Sequence, residues 1–168
     1  TIPTSSVVLE EEDFTIGFWA FTDDVSADWQ SLISSVNNTD GSGASDAGSW
    51  QVNTWSSKIR LYARDDAGSA TFILTSSSTI SNNTWYYFVV TRTSGGNYKM
   101  YFNGEEEASG SDGDSGTDLD CTTLALGINR AYDTYWDGGI AIVQIYKGKA
   151  LSAAEVKQNF DATKGRYV

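Results

Sequence analysis

Apolar and polar residues alternate with a period of two through much of this chain, and this period restricts the fold more than any other feature. Phe14, Ile16 and Phe18 alternate with Thr15, Gly17 and Trp19. Because successive side chains of a β-strand point to opposite faces, the pattern predicts a strand with one buried face. The run TWYYFVVT at 84–91 predicts a strand buried on both faces. The other predicted strands cover residues 32–36, 59–63, 97–102, 124–128 and 139–146.

Turn-forming residues separate these runs at short intervals. The clearest turn is Asn103-Gly104, a two-residue hairpin connection in which both positions need positive φ. A further strand is expected to return from Glu105. Many short strands with regular turns are typical of a sandwich or a barrel.

One helix is predicted, close to the C-terminal end. Ser152 and Glu155 have the spacing of a capping box, and Val156 and Phe160 share one helical face. The segment 153–160 is therefore predicted as a short helix lying across the sandwich. A length of 168 residues fits a single domain, residues 1–168.

The charge of the chain excludes several classes of partner. The net charge is −11, with 22 acidic against 11 basic residues and no histidine. Nucleic acid and anionic membrane surfaces both require clustered Lys and Arg, so neither is an expected partner. No stretch is long enough for membrane insertion. A glycan, a cationic partner or a metal ion remains open, as does an acidic surface that only maintains solubility.

Four segments along the chain carry a recognisable set of motifs. They are DFTIGFW at 13–19, TWYYFVVTR at 84–92, KMYFNGE at 99–105, and WDGGIAIVQIY with ALSAAEV at 136–146 and 150–156. In this order they resemble the laminin-G-like, pentraxin-type domains of the concanavalin-A-like class. The resemblance covers about residues 13–160 and implies an all-β, two-sheet antiparallel jelly-roll sandwich with one short C-terminal helix. The ending at 159–167 also resembles copies in tailed-phage structural proteins.

The resemblance implies a binding or structural module on an extracellular or virion surface. The leading hypothesis is a non-catalytic domain for adhesion or carbohydrate binding, as part of a phage particle. The alternative is a purely structural capsid-decoration or tail protein whose partners are other virion or surface proteins.

A glycoside hydrolase is the second alternative, since enzymes such as laminarinases share this type of fold. They need two carboxylates about 5 to 10 Å apart across the sugar bond. The only comparable cluster, EEED at 10–13, precedes its strand and lacks a later partner. No catalytic residues are therefore predicted.

An acidic loop is the candidate metal site. It runs from 112 to 120 as DGDSGTDLD, and its carboxylates are Asp112, Asp114, Asp118 and Asp120. Calcium takes about six to eight oxygen ligands, which flexible loops rich in Asp, Gly and Ser can supply. The resemblance also favours calcium at the edge of the sandwich. The alternative is a solvated acidic turn without a metal.

Aromatic residues near loops are the candidate ligand-binding residues, because sugars stack on aromatic rings. Two of them, Trp50 and Trp55, flank a long polar loop. Three more, Tyr132, Tyr135 and Trp136, lie in the connection before the last strand. For Trp136 the resemblance favours a core position instead.

Overall fold

Two five-stranded antiparallel sheets pack face to face, and one short helix follows them. The structure is a computed structural model that describes residues 12–35, 50–64, 70–112, 124–129 and 134–168. The helix α1 spans Ala153–Thr163. In chain order the strands are β1 (Phe14–Thr22), β2 (Ser31–Ser35), β3 (Trp50–Trp55), β4 (Lys58–Arg64), β5 (Ala70–Thr75), β6 (Tyr86–Arg92), β7 (Asn97–Phe102), β8 (Glu105–Ser111), β9 (Leu124–Leu126), β10 (Ile128–Asn129), β11 (Thr134–Tyr135) and β12 (Gly138–Lys147). The predicted all-β sandwich with a C-terminal helix is confirmed.

The two large sheets differ in which parts of the chain they use. Sheet A has the order β12-β1-β6-β7-β8 and sheet B the order β5-β4-β3-β2-β9, while β10 and β11 form a small ribbon. The strand predicted at 84–91 is β6, in the centre of sheet A, and it is buried along nearly its whole length. Its burial confirms the prediction of two covered faces.

Two strands of sheet B, β3 and β5, are missing from the sequence-based prediction. The segment WQVNTW of β3 does alternate, but it places Trp50 toward the core and Trp55 toward the outside. With a large aromatic residue on each face, the period of two is obscured.

The main core lies between the sheets. Phe14, Ile16 and Phe18 of β1 face Val52 and Leu61 of sheet B, and all of them are buried. Burying one such side chain contributes about 1.5–3 kcal/mol. A one-residue slip of β1 would turn these three side chains away from the core, so the alternation also fixes the register.

The helix covers the outer face of sheet A. A second apolar cluster joins Trp19, Tyr87 and Tyr101 of the sheet to Leu151 and Val156. The Ser152 hydroxyl and the Glu155 side chain form the predicted capping box, and the helix runs three residues past the predicted end at 160. Among the described residues, no helix is both long and apolar enough to cross a membrane.

The Asn103-Gly104 turn packs against this helix. The two residues have φ of 50° and 84°, so the predicted hairpin with two positive φ angles is confirmed. A Cβ atom on Gly104 would lie 3.1 Å from Lys157 Cδ and 3.3 Å from Phe160 Cδ1. Glycine at 104 therefore permits the positive φ of the turn and also leaves room for α1 to pack closely against it.

Candidate functional site

The structure corrects the prediction for Trp50 as a ligand-binding residue, and it places Trp136 in the core position that the resemblance favours. Trp50 is 1% exposed and Trp136 is 8% exposed, and both belong to the core between the sheets. The Trp136 Nε1 donates a hydrogen bond to the Phe21 carbonyl at 2.9 Å. Neither ring offers a face to a ligand, because each is buried in the core.

Two of the other three aromatic candidates are exposed, and the third lies outside the described residues. Tyr135 is 61% exposed on β11, where it pairs with Ile128 of β10. Trp55 is 37% exposed at the end of β3. Tyr132 lies outside the described residues. A ligand-binding role for Tyr135 stays a prediction, whereas Trp55 belongs to a larger cluster on sheet B.

Asp112, the first residue of the predicted calcium loop, has a buried carboxylate. Its Oδ2 accepts a hydrogen bond from the Tyr98 hydroxyl at 3.0 Å and lies 3.7 Å from Arg92 Nη2. Burial raises the pKa of Tyr98 well above its usual range, so its hydroxyl remains a donor. Asp112 is thus engaged in an internal ion pair.

The rest of the predicted metal site, Asp114, Asp118 and Asp120, lies outside the described residues. Within the part of the chain that the structure describes, no group of three or more Cys, Asp or Glu side chains could hold a metal ion. Calcium therefore stays a proposal, and it would have to rest chiefly on these three carboxylates.

A cluster that the sequence did not predict surrounds Arg60 on the outer face of sheet B. The Arg60 Cζ lies 4.3 Å from the centroid of the Trp29 ring, 4.4 Å from Trp55 and 5.2 Å from Tyr62. Trp29 contacts Trp55 and Tyr62 edge to face, with centroids 5.4 and 5.6 Å apart. We call these four residues together with Asn53 the Arg60 cluster.

The β3–β4 hairpin positions most of this cluster. Ser56 and Ser57 connect the strands with φ of 51° and 59°, which sets Asn53 opposite Arg60 in the register. The Arg60 Nε donates to Asn53 Oδ1 at 3.2 Å. Cross-strand partners point to the same face, so the amide and the guanidinium both face outward.

Trp29 approaches the hairpin from the preceding loop with an unusual backbone conformation. Its φ is 67°, in the left-handed region that a bulky residue rarely adopts. Its N–H donates to the Thr54 carbonyl at 2.8 Å, and Asp28 Oδ1 accepts from the Ser56 N–H at 2.6 Å. Such conformations are often found at binding sites, where the surrounding structure maintains them.

The guanidinium of Arg60 is buried although its charge is retained. The side chain is 5% exposed. This burial lowers the pKa of Arg60, while Tyr62 and Asp28 act in the opposite direction. An arginine starts from so high a pKa that the group stays protonated. The stacked rings stabilise the cation through cation–π contacts.

Two donors of the cluster have no acceptor. They are Arg60 Nη2 and Asn53 Nδ2, both buried and without a hydrogen-bond partner among the described residues. A buried donor left unpaired costs about 1–3 kcal/mol. The cluster therefore combines aromatic faces with donors that an acceptor from outside could satisfy.

The sequence contains a signal for this site. The outward positions of β4 are Lys58, Arg60, Tyr62 and Arg64, three basic residues and one aromatic residue on one face of a strand in an acidic chain. The sequence gives no signal that Trp29 joins the cluster, because its position depends on its own left-handed backbone conformation and on a hydrogen bond to Thr54.

Comparison with known families agrees with this architecture. The family model described as the concanavalin A-like lectin/glucanases superfamily, in its laminin-G type, matches residues 1–157. The chain belongs to this superfamily. The resemblance found in the four sequence segments is thereby confirmed. No curated protein matches the chain in sequence.

Solved structures of this superfamily fold include binding domains of larger proteins. The binding domain of botulinum neurotoxin serotype G matches with a TM-score of 0.71 at 20% identity, over 94% of this chain and 38% of that chain. A sialidase CBM40 of Ruminococcus gnavus, bound to α2,3-sialyllactose, matches with a TM-score of 0.70 at 21% identity, over 93% of this chain and 86% of that one. At this identity the likeness is one of fold.

A third similar structure is the ligand-binding domain of botulinum neurotoxin serotype D in complex with N-acetylneuraminic acid. It has a TM-score of 0.69 and 21% identity, over 90% of this chain and 37% of that one. The chain described here therefore spans less than two fifths of the length of either toxin chain. The similar structures named here are toxin domains and a sialidase module, so the resemblance to phage structural proteins stays a prediction.

Proposed function

We propose that this chain is a non-catalytic glycan-binding module whose ligand stacks on the Arg60 cluster. The observation that carries the proposal is the partly exposed ring of Trp55, which contacts the Trp29 ring on the outer face of sheet B, where Trp29 also contacts Tyr62. Aromatic faces with a few fixed polar groups are a common way to bind a sugar, because the rings stack and the polar groups set the orientation.

The similar structures support this proposal at the level of fold. The CBM40 holds α2,3-sialyllactose and the serotype D domain holds N-acetylneuraminic acid. Sandwiches of this architecture can thus present a carbohydrate site. We extend the proposal to an extracellular or virion surface, where such a module would mediate adhesion.

A purely structural role remains the second candidate. Leu126 is exposed on β9, the edge strand of sheet B, and lies two residues before Ile128, the partner of the exposed Tyr135. Exposed apolar residues at a sheet edge are suited to contacts with another protein. In the order of sheet B, β2 separates β9 from the β3–β4 hairpin, so Leu126 and the Arg60 cluster can be mutated and tested separately.

Glycan binding can be tested with an array of neutral and acidic oligosaccharides, followed by calorimetry on the best ligands. We expect Trp55→Ala to weaken binding about tenfold or more, which corresponds to about 1.4 kcal/mol. Leu126→Ala removes an exposed apolar side chain from the same sheet and serves as the control that keeps its affinity. Absence of binding to every sugar, or equal losses in both variants, would contradict the proposal.

A further inference from the structure

Positive charge is concentrated on the outer face of β4, although the chain as a whole carries a net charge of −11. Lys58 and Arg60 stand on this face beside the ring of Tyr62, at alternate positions of the strand. Within the described residues, neither cation has a carboxylate within ion-pair distance. The nearest acidic influence on Arg60 is Asp28, which acts at longer range. This face is therefore suited to an anion.

The neighbouring polar side chain on this face, Gln51, has hydrogen-bond partners, in contrast to the two unpaired donors of the Arg60 cluster. On the same face, Gln51 Oε1 accepts from the Ser31 hydroxyl at 2.7 Å and from Asn129 Nδ2 at 2.9 Å. Arg60 Nη2 and Asn53 Nδ2 are equally buried but have no acceptor in the described part of the chain. On the outer face of β3 and β4, the hydrogen bonds of Gln51 are therefore complete, whereas those of Asn53 and Arg60 are not.

We infer that the ligand is a sugar bearing a carboxylate, and that its two oxygens bind Arg60 Nη2 and Asn53 Nδ2. The inference rests on the proposed glycan-binding function and specifies its ligand class. A carboxylate has planar, paired acceptors and one negative charge, so it satisfies both donors and neutralises the guanidinium. A neutral hydroxyl could satisfy one donor but would leave the cation buried and unneutralised. Uronic and sialic acids have the required group.

Trp55 controls access to these donors. Its ring lies over the guanidinium at 4.4 Å, at the end of β3 where only the two-residue turn follows. The carboxylate reaches Nη2 when this ring turns aside and then stacks on the sugar. Trp29 is fixed by its backbone hydrogen bond to Thr54 and forms the stationary wall. Binding should therefore change the fluorescence of Trp55 more than that of any other tryptophan.

The test compares acids with their own methyl esters, which keep the sugar and remove the charge. The probes are 3′-sialyllactose and an oligogalacturonide, each as free acid and as ester, with 3′-sulfolactose as a second anion. We expect at least one acid to bind about tenfold or more tightly than its ester, with a fluorescence change that is lost in Trp55→Phe. Arg60→Gln should reduce affinity for the acid to that for the ester, and Lys58→Gln should reduce it by a smaller factor.

The outcomes separate the inference from the proposed function. Equal affinity for acid and ester would overturn the carboxylate inference while leaving glycan binding intact. Tighter binding of 3′-sulfolactose than of either acid would also overturn it, in favour of a sulfated ligand. Failure to bind these probes and every oligosaccharide of the array would remove the proposed function itself. The ester comparison uses the wild-type protein, so the inference remains testable even if Arg60→Gln fails to fold.

Discussion

The outer faces of the two sheets carry similar residues but are built differently. On sheet A, Trp19 is buried under α1, stacks on Tyr167 at 4.5 Å, and donates from Nε1 to the Thr163 hydroxyl at 2.9 Å. On sheet B, Trp55 is partly exposed and covers a guanidinium with an unpaired donor. The comparison shows that an outward aromatic residue does not by itself mark a binding site. Where the polar atoms around the ring all have hydrogen-bond partners, the surface serves packing. Where a donor is left unpaired, the surface can accept a ligand.

The largest expected effect comes from making the same change on each face. Trp19→Ala should lower the free energy of unfolding by about 3–5 kcal/mol, because it empties a buried site and removes the hydrogen bond from Nε1 to the Thr163 hydroxyl. Trp55→Ala should lower it by about 1 kcal/mol or less, since the residue loses mainly cation–π and ring contacts at a partly exposed position. Urea titrations of both variants measure the difference. Equal losses would mean that the Arg60 cluster is as structural as the helix interface.

The connection between the sheets provides the second test, since the predicted calcium loop joins β8 of sheet A to β9 of sheet B. Calcium bound only to the folded state would raise stability by about 2.7 kcal/mol at a hundred times its dissociation constant. Melting temperatures in millimolar calcium and in chelator should then differ by several degrees, and Asp114→Asn should reduce the difference.

Asp112→Asn is the matched control for the calcium test. Because Asp112 pairs with the buried Arg92, its loss should lower the melting temperature with and without calcium alike. Coinciding melts of the wild type in calcium and chelator would show that the loop is a solvated acidic turn.

Local patterns account for what the sequence predicts correctly. Alternation identified β1, and the continuous run of aromatic and β-branched residues at 84–91 identified β6. The residue pair Asn103-Gly104 identified the β7–β8 turn, and the capping box identified the start of α1. Each signal is contained within a few neighbouring residues, and each agrees with the tertiary structure.

What the sequence did not predict depends on register and on distant segments. Trp50 and Trp55 differ only in the parity of their positions on β3, yet one is in the core and the other on the outer face. The Arg60 cluster requires the pairing of β3 with β4 and the left-handed φ of Trp29, and neither can be derived from neighbouring residues alone. The three basic residues and one tyrosine at alternate positions of β4 were a usable signal, but only once the outward face of the strand was known.

The sharpest test of the difference between the sheets compares a large expected effect at Arg92 with the smallest expected effect, at Arg60. Each sheet contains a buried arginine, Arg92 in sheet A and Arg60 in sheet B. Arg92 Nη2 lies 3.7 Å from Asp112, whereas Arg60 Nη2 has no acceptor among the described residues. Breaking a buried ion pair typically costs about 3–5 kcal/mol, because a charge is left behind. Arg92→Met should therefore be strongly destabilising.

Arg60→Met should instead leave the free energy of unfolding within about 1 kcal/mol of the wild type, or raise it. Methionine fills the space between the rings, and it removes a buried charge and an unpaired donor. Against this stand the lost cation–π contacts and the hydrogen bond from Nε to Asn53. The same variant should lose the preference for a carboxylated sugar over its ester. Denaturant titration of the two methionine variants gives the comparison directly. A loss of about 3 kcal/mol for Arg60→Met would show that the arginine is present for the fold, since a residue kept for a ligand adds little to the stability of the free protein.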